Sequence, residues 1–200
     1  PKSFFKKKYE FFRLTPFRMK YELLKKKKID FMLNVKFDNN FMNISSLDFI
    51  KKILLEDLKA SHIVTGFDFV FGNRQTGNVD FLRNFCRSSK KLEFTEIKEK
   101  KMDGSEVSSS LIRGLLRNGE IEKANKILSR KWTVFARVLN GEKKARKIGF
   151  KTANMRLNSY CDICFGVYAV LIKLPEEISR KMFYGIANYG VKPTFMKKKP

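Results

Sequence analysis

The stretch His62-Ile63-Val64-Thr65-Gly66-Phe67-Asp68-Phe69-Val70-Phe71-Gly72 decides the fold of the first half of this chain. Its opening run, His62–Gly66, is short and apolar and ends on glycine, which predicts a buried parallel strand. Ligands of open α/β sheets sit beyond the carboxyl ends of the strands, so the loop that follows stands where a site would be. Gly66 and Gly72 would let backbone come close to a ligand. Asp68 offers an acceptor, and Phe67 and its neighbours offer faces for a flat ring. A tight loop packed with core aromatics would have the same residues.

Upstream, Thr15-Pro16 reads as a helix start, with Thr15 as N-cap and Pro16 at the first helical position. Met19, Leu23 and Leu24 give that helix an apolar face, and Lys25–Lys28 closes it. Phe31 to Phe37 alternates loosely and predicts a strand. Ser45-Ser46 with Asp48 opens a second helix, on which Leu47, Ile50, Leu54 and Leu58 recur at helical spacing. Helix alternating with strand argues for an α/β sheet. Near residue 130 the pattern changes. Trp132, Val134, Ala136 and Val138 follow a period of two, and apolar runs recur at Met155–Leu157, Gly166–Leu174 and Phe183–Tyr189. Short strands without intervening helices predict a small antiparallel barrel or sandwich. The expected domains are therefore 1–129 and 130–200.

Composition narrows the function classes. Forty-three basic residues against 20 acidic give a net charge of +23, with lysine runs at Lys6–Lys8, Lys25–Lys28 and Lys197–Lys199. Such a surface attracts polyanions, yet no zinc-finger spacing, RNP-like aromatic pair or helix-turn-helix pattern accompanies it. Compositional drift on a solvated surface is the expected reading; a basic, non-catalytic nucleic-acid-binding protein is the alternative, and a field for an anionic small ligand is the third. No apolar run approaches the ~20 residues of a membrane span. Cys86, Cys161 and Cys164 are too few for a disulfide framework, so a reducing, cytoplasmic setting is expected. Cys161 and Cys164 match a C-x-x-C spacing without further ligands at zinc-site spacing, and are expected to be two half-buried residues at a strand entrance.

Two more segments carry chemistry. In Val107-Ser108-Ser109-Ser110-Leu111-Ile112-Arg113, Ser109 or Ser110 is expected to cap a helix. A helix N-terminus presents free N–H groups to phosphate, and Arg113 follows Ser109 by one turn on the same face. The second is Gly149-Phe150-Lys151-Thr152-Ala153-Asn154, after a basic loop with Arg146 and Lys147. Thr152 and Asn154 would share one face of an extended strand, and their oxygens are hard ligands that suit Mg²⁺.

Taken in this order, the segments resemble the bacterial bifunctional riboflavin kinase/FAD synthetase family. Leu14-Thr15 with Lys20, the stretch 66–72, and Asp103-Gly104 leading into 108–113 are similar to its adenylyltransferase module. Gly149 to Asn154, Gly166-Val167-Tyr168, and Asn188 through Gly190-Val191 to Pro193-Thr194-Phe195 are similar to its kinase module. The resemblance implies a partial Rossmann-like nucleotidyltransferase domain followed by a partial riboflavin kinase barrel. It implies riboflavin, FMN and ATP as substrates, FAD as product, and Mg²⁺ with the ATP. It also implies ATP binding by Ser109 and Arg113 and flavin binding by Phe67, Asp68 and Gly72. Gly149, Lys151, Thr152 and Asn154 would bind nucleotide in the kinase, the last two with Mg²⁺. Lys151 stands where the family usually has Pro, which removes a preset φ and leaves both proposed ligands. The family's Gly-x-Phe-Asp-Gly-x-His-x-Gly-His stretch is expected before Pro1 and its kinase Glu after Pro200, so a fragment without its catalytic groups, inactive alone, is the expectation.

Overall fold

A computed structural model describes residues 12–102, 104–139, 152–157, 160–175, 178–179 and 181–190. The chain forms two compact units. The first takes the described residues of 16–108; the second takes 12–15 and those from 109 onward.

The first unit opens with α1, Phe17–Lys26, whose buried residue is Met19. Pro16 holds the cap position of α1, and the expected cap from the Thr15 side chain does not form. Residues 29–38 form no strand, contrary to the alternation of Phe31 to Phe37: they have no ladder partner among the described residues, and Phe31 is 91% exposed. Alternation supplies two faces but not the neighbouring strand edge on which a ladder depends. A short helix α2, Asn39–Met42, is capped by Asp38, which accepts from the Phe41 amide at 3.0 Å. Next, α3, Ser46–Asp48, has Ser45 as its N-cap, as the sequence predicts: the Ser45 hydroxyl accepts from the Asp48 amide at 3.0 Å.

From Phe49 to Asp57 the chain winds as a π-helix. Its wider i→i+5 turn breaks the 3.6 periodicity. Ile50 is fully buried with Leu54 and Leu55 beside it, while Leu47 and Leu58, expected on the same face, are exposed. Strand β1, His62–Gly66, runs parallel to β2, Glu93–Ile97, with His62 opposite Glu93 and Gly66 opposite Ile97. Between them lies α4, Val79–Ser89, capped by Asn78. Helix between parallel strands is the α/β unit expected. The expected full burial of β1 is not seen, since burial alternates along it and Val64 is 60% exposed. The core gathers Ile50, Phe71, Leu82 and Leu92. A hairpin of β3, Lys101–Met102, and β4, Ser105–Glu106, turns at Gly104 with φ +77°.

The second unit is built on α5, Ser109–Arg117, and α6, Ile121–Leu128. Ile112 and Leu116 of α5 and Ala124 of α6 bury against Cys161. That packing explains why the units divide at Ser108/Ser109, ahead of the 129/130 boundary expected from the sequence. Residues 12–15 are tied to this core by three hydrogen bonds. The Cys161 amide donates to Arg13 O at 2.9 Å, the Trp132 indole to Leu14 O at 3.1 Å, and Arg130 to the Thr15 hydroxyl at 3.0 Å. Residues 132–137 alternate in burial as predicted, yet they form no ladder among the described residues. An isolated bridge joins Leu139 to Asn154, and Met155–Leu157 is not a strand. Strands β5, Gly166–Lys173, and β6, Met182–Tyr189, pair antiparallel throughout, close to the expected bounds. Among the described residues no helix is long and apolar enough to cross a membrane.

Candidate functional site

In the first unit, the loop after β1 is held at its start by two backbone hydrogen bonds. The Phe67 amide donates to Ile97 O at 3.0 Å and the Phe69 amide to Gly66 O at 3.2 Å. Its three phenylalanines have separate fates. Phe69 stacks on Phe71 at 5.5 Å between ring centroids, and Phe71 packs against Phe49 and Phe81 in the core. Phe67 stays 42% exposed, with Asp68 exposed beside it. Of the three rings, Phe67 has the surface to meet a planar ligand from solvent.

Gly72 answers to its own chain. With φ +75° it adopts a backbone that glycine alone accepts readily. A Cβ there would lie 2.4 Å from the Ser46 hydroxyl oxygen and 2.8 Å from Ser46 backbone. Ser46 is buried and hydrogen-bonded to Thr76 at 2.6 Å. Thr76 donates in turn to Asn73 O at 3.0 Å, which leaves the Ser46 hydroxyl as donor. Gly72 is thus where the loop closes on the start of α3.

In the second unit, Ser109 is the first residue of α5, so Ser109 and Ser110 lie in its first turn and the position before them belongs to Ser108. A capping hydroxyl must precede the helix, which corrects the expected cap. Ser109 and Ser110 are exposed and Arg113 is half-buried one turn on. Arg113 makes a long contact of 3.5 Å to the Ser110 hydroxyl and no ion pair among the described residues. Burial pushes the Cys161 thiol pKa up, and the cations of Arg113 and Arg117 oppose that rise. Exposed hydroxyls, a helix start and an uncommitted guanidinium are suited to phosphate.

Thr152 and Asn154 are both exposed, and the Asn154 carbonyl accepts from the Leu139 amide at 2.8 Å. Their side chains have no hydrogen-bond partner among the described residues, so a hydroxyl and an amide oxygen stand open to solvent. That donor set fits Mg²⁺, which takes few protein ligands and fills its shell with phosphate and water. Gly149 and Lys151 lie outside the described residues, as do Asp103 and the segment 191–195.

Sequence reasoning expected both C-x-x-C cysteines to be half-buried; Cys161 is fully buried and Cys164 exposed. No cluster of three or more His, Cys, Asp or Glu suited to a metal occurs among the described residues. His62 is engaged with Thr95 at 2.8 Å and Glu93 at 3.3 Å. It lines an open groove along α4 and β2 with Cys86, Arg87 and Lys90, none of them a predicted site residue.

Residues 1–111 match the family model described as FAD synthetase, and 128–200 match that described as riboflavin kinase. The bifunctional riboflavin kinase/FMN adenylyltransferase of Buchnera aphidicola subsp. Schizaphis graminum is 35% identical over 189 residues, covering 94% of this chain and 59% of that protein. The protein so named in Haemophilus influenzae is 34% identical over 196 residues, 97% of this chain and 62% of its own length. That of Bacillus subtilis is 33% identical over 188 residues, 94% and 57%. The chain therefore spans about three fifths of the length of these relatives. Among solved structures, a macrolide-efflux protein from Streptococcus pneumoniae superposes with a TM-score of 0.76 at 23% identity. It covers 91% of this chain and 57% of that one, a likeness of fold.

Proposed function

The chain belongs to the FAD synthetase family, and from that premise we propose that the complete gene product phosphorylates riboflavin to FMN and adenylylates FMN to FAD. One observation carries the reading: two family models, one for each reaction, match successive parts of a single chain. Residues 1–129 would serve adenylylation and 130–200 riboflavin phosphorylation, the latter as part of a small antiparallel barrel. A cytoplasmic setting suits both.

Both reactions are attacks on phosphorus: the ribityl hydroxyl attacks the γ-phosphate of ATP and displaces ADP, and the FMN phosphate attacks the α-phosphate and displaces pyrophosphate. Such chemistry rests on placement and charge neutralisation. Ser109, the first N–H groups of α5 and Arg113 would grip ATP for adenylylation. Phe67 would cover the flavin ring, with Asp68 accepting a hydrogen bond from it and Gly72 fixing the loop. Thr152 and Asn154, with Gly149 and Lys151, would hold nucleotide in the kinase. Bound Mg²⁺ would supply neutralisation of phosphate charge there.

The test is incubation of the complete gene product with riboflavin and ATP in magnesium buffer, with flavins separated by chromatography. FMN and then FAD should accumulate; a folded protein that forms neither would refute the proposal. Thr152→Ala should lower the rate of FMN formation about 10-fold, the effect of losing one hydrogen-bonding ligand near phosphate. FAD formation from supplied FMN should be unchanged. Equal loss of both rates would remove Thr152 from the kinase site.

A further inference from the structure

Six non-glycine residues have left-handed backbone among the described residues. Four of them stand at helix ends. Lys28 follows the C-cap of α1, Lys59 follows that of the π-helix, and Lys90 and Ser129 are the C-caps of α4 and α6. A left-handed residue there is ordinary, because it frees the last carbonyls to be capped. Arg74 and Gln75 are different. They are consecutive, with φ of 51° and 59°, and they terminate no α-helix. For a residue with a Cβ this conformation is unfavourable, and neither Arg nor Gln is among the types that tolerate it.

The surrounding loop is built to hold the pair there. Phe71 and Gly77 exchange both backbone hydrogen bonds, at 3.0 and 2.9 Å. Inside that clasp the Gln75 amide donates to Gly72 O at 3.1 Å and the Thr76 amide to Asn73 O at 3.1 Å. The Asn73 amide donates to Ile44 O at 2.7 Å, and its side chain reaches Asn43. A Cβ on Gly77 would come within 2.6 Å of the Phe71 ring, so the clasp closes as tightly as glycine allows. Backbone strain that the surrounding contacts maintain is concentrated at ligand clamps and active sites. Arg74 is exposed and makes no ion pair among the described residues, whereas Arg83 of the same unit is bound by both Asp80 and Glu96. In the chain this turn follows Phe67 and Asp68, which open the loop after the carboxyl end of β1, the end at which an α/β sheet receives its ligand.

We infer that Arg74 is a further substrate-positioning residue, whose guanidinium binds a phosphate group at the mouth of the loop Phe67–Gly72. This rests on the adenylylation reading, in which the phosphate belongs to FMN or to ATP. Arginine suits the task because its planar fork pairs with two phosphate oxygens at once. Glycine would satisfy the backbone better at this position and would bind nothing.

The experiment compares wild type, Arg74→Ala, Arg74→Lys and Arg74→Gly in the complete gene product. KM and kcat are measured for FMN and for ATP in adenylylation, with riboflavin phosphorylation and melting temperature alongside. Arg74→Ala should raise one KM about 10–100-fold, the loss typical of a charge-assisted contact, with kcat within about twofold and phosphorylation unchanged. A rise confined to FMN assigns the flavin phosphate; one confined to ATP assigns the nucleotide. Arg74→Lys should recover part of the loss. Arg74→Gly should melt above wild type yet adenylylate as poorly as Arg74→Ala. Unchanged KM for both substrates would overturn the inference, and so would a parallel fall of both activities with the melting temperature. Direct titration of FMN and ATP separates the two readings. A gene product without adenylylation whose affinity for either still falls in Arg74→Ala keeps the site and loses the proposed reaction; unchanged affinities lose the site.

Discussion

Replacing Gly72 by alanine is expected to destabilise the first unit by about 3 kcal/mol or more, the sum of left-handed strain and overpacking. Gly72 combines φ +75° with ψ 172°, a region open in practice to glycine alone. A new methyl would also overlap three atoms of Ser46, the hydroxyl oxygen at 2.4 Å and the backbone N and Cα at 2.8 Å. Ser46 cannot yield, because it is buried in the first turn of α3 and bound to Thr76. Chemical denaturation read by far-ultraviolet dichroism would show the loss as a lower midpoint. Gly114→Ala is the control. Gly114 lies inside α5, where a Cβ meets nothing within 4 Å. Alanine there should stabilise by about 0.5–1 kcal/mol through helix propensity. If Gly72→Ala were as harmless as Gly114→Ala, the closure of the loop on Ser46 would be wrong.

What could be read in advance follows from which interactions are local. The Ser45 cap on α3 sits a few residues from its target, and so it was legible. Strands β5 and β6 were legible too, since each is a long apolar run and the two pair in full register. Phe31 to Phe37 and Trp132 to Val138 alternate as strands do, without a ladder among the described residues. A strand is a property of two segments, and the pattern of one cannot supply the other. The π-helix from Phe49 escaped because its hydrogen-bond period, not its composition, differs from that of an α-helix. The candidate site divides in the same way. Ser109, Arg113, Thr152 and Asn154 could be picked out by residue type and spacing. Arg74 could not, since the turn that holds it is anchored through its neighbour Asn73 to Ile44 and Asn43, some thirty residues earlier, and local propensity would sooner have put a left-handed residue at Asn73.

Arg113→Ala is expected to lower kcat/KM for FAD formation on the order of 100-fold, equivalent to about 2–3 kcal/mol for a charge-assisted contact. FMN formation should stay within about twofold of wild type. The reason lies in how α5 is used. Ile112 and Leu116 bury against Cys161 and hold the helix in the second unit, whereas Arg113 sits half-buried between them in sequence with no carboxylate partner among the described residues. Alanine removes the guanidinium, keeps the helix and leaves the core untouched. Arg113→Lys should restore only part of the rate, because a lysine cannot pair with two phosphate oxygens through one planar group. Arg117→Ala separates site from surface charge. Arg117 is exposed one turn further along α5 and also acts on the Cys161 thiol, so its removal changes the local field without touching the helix start. FAD formation should survive that change. Since α5 packs with residues of the kinase half, a fall of both activities in Arg113→Ala at unchanged melting temperature would mean that the helix serves phosphorylation as well, and the assignment of residues 1–129 to adenylylation would not stand.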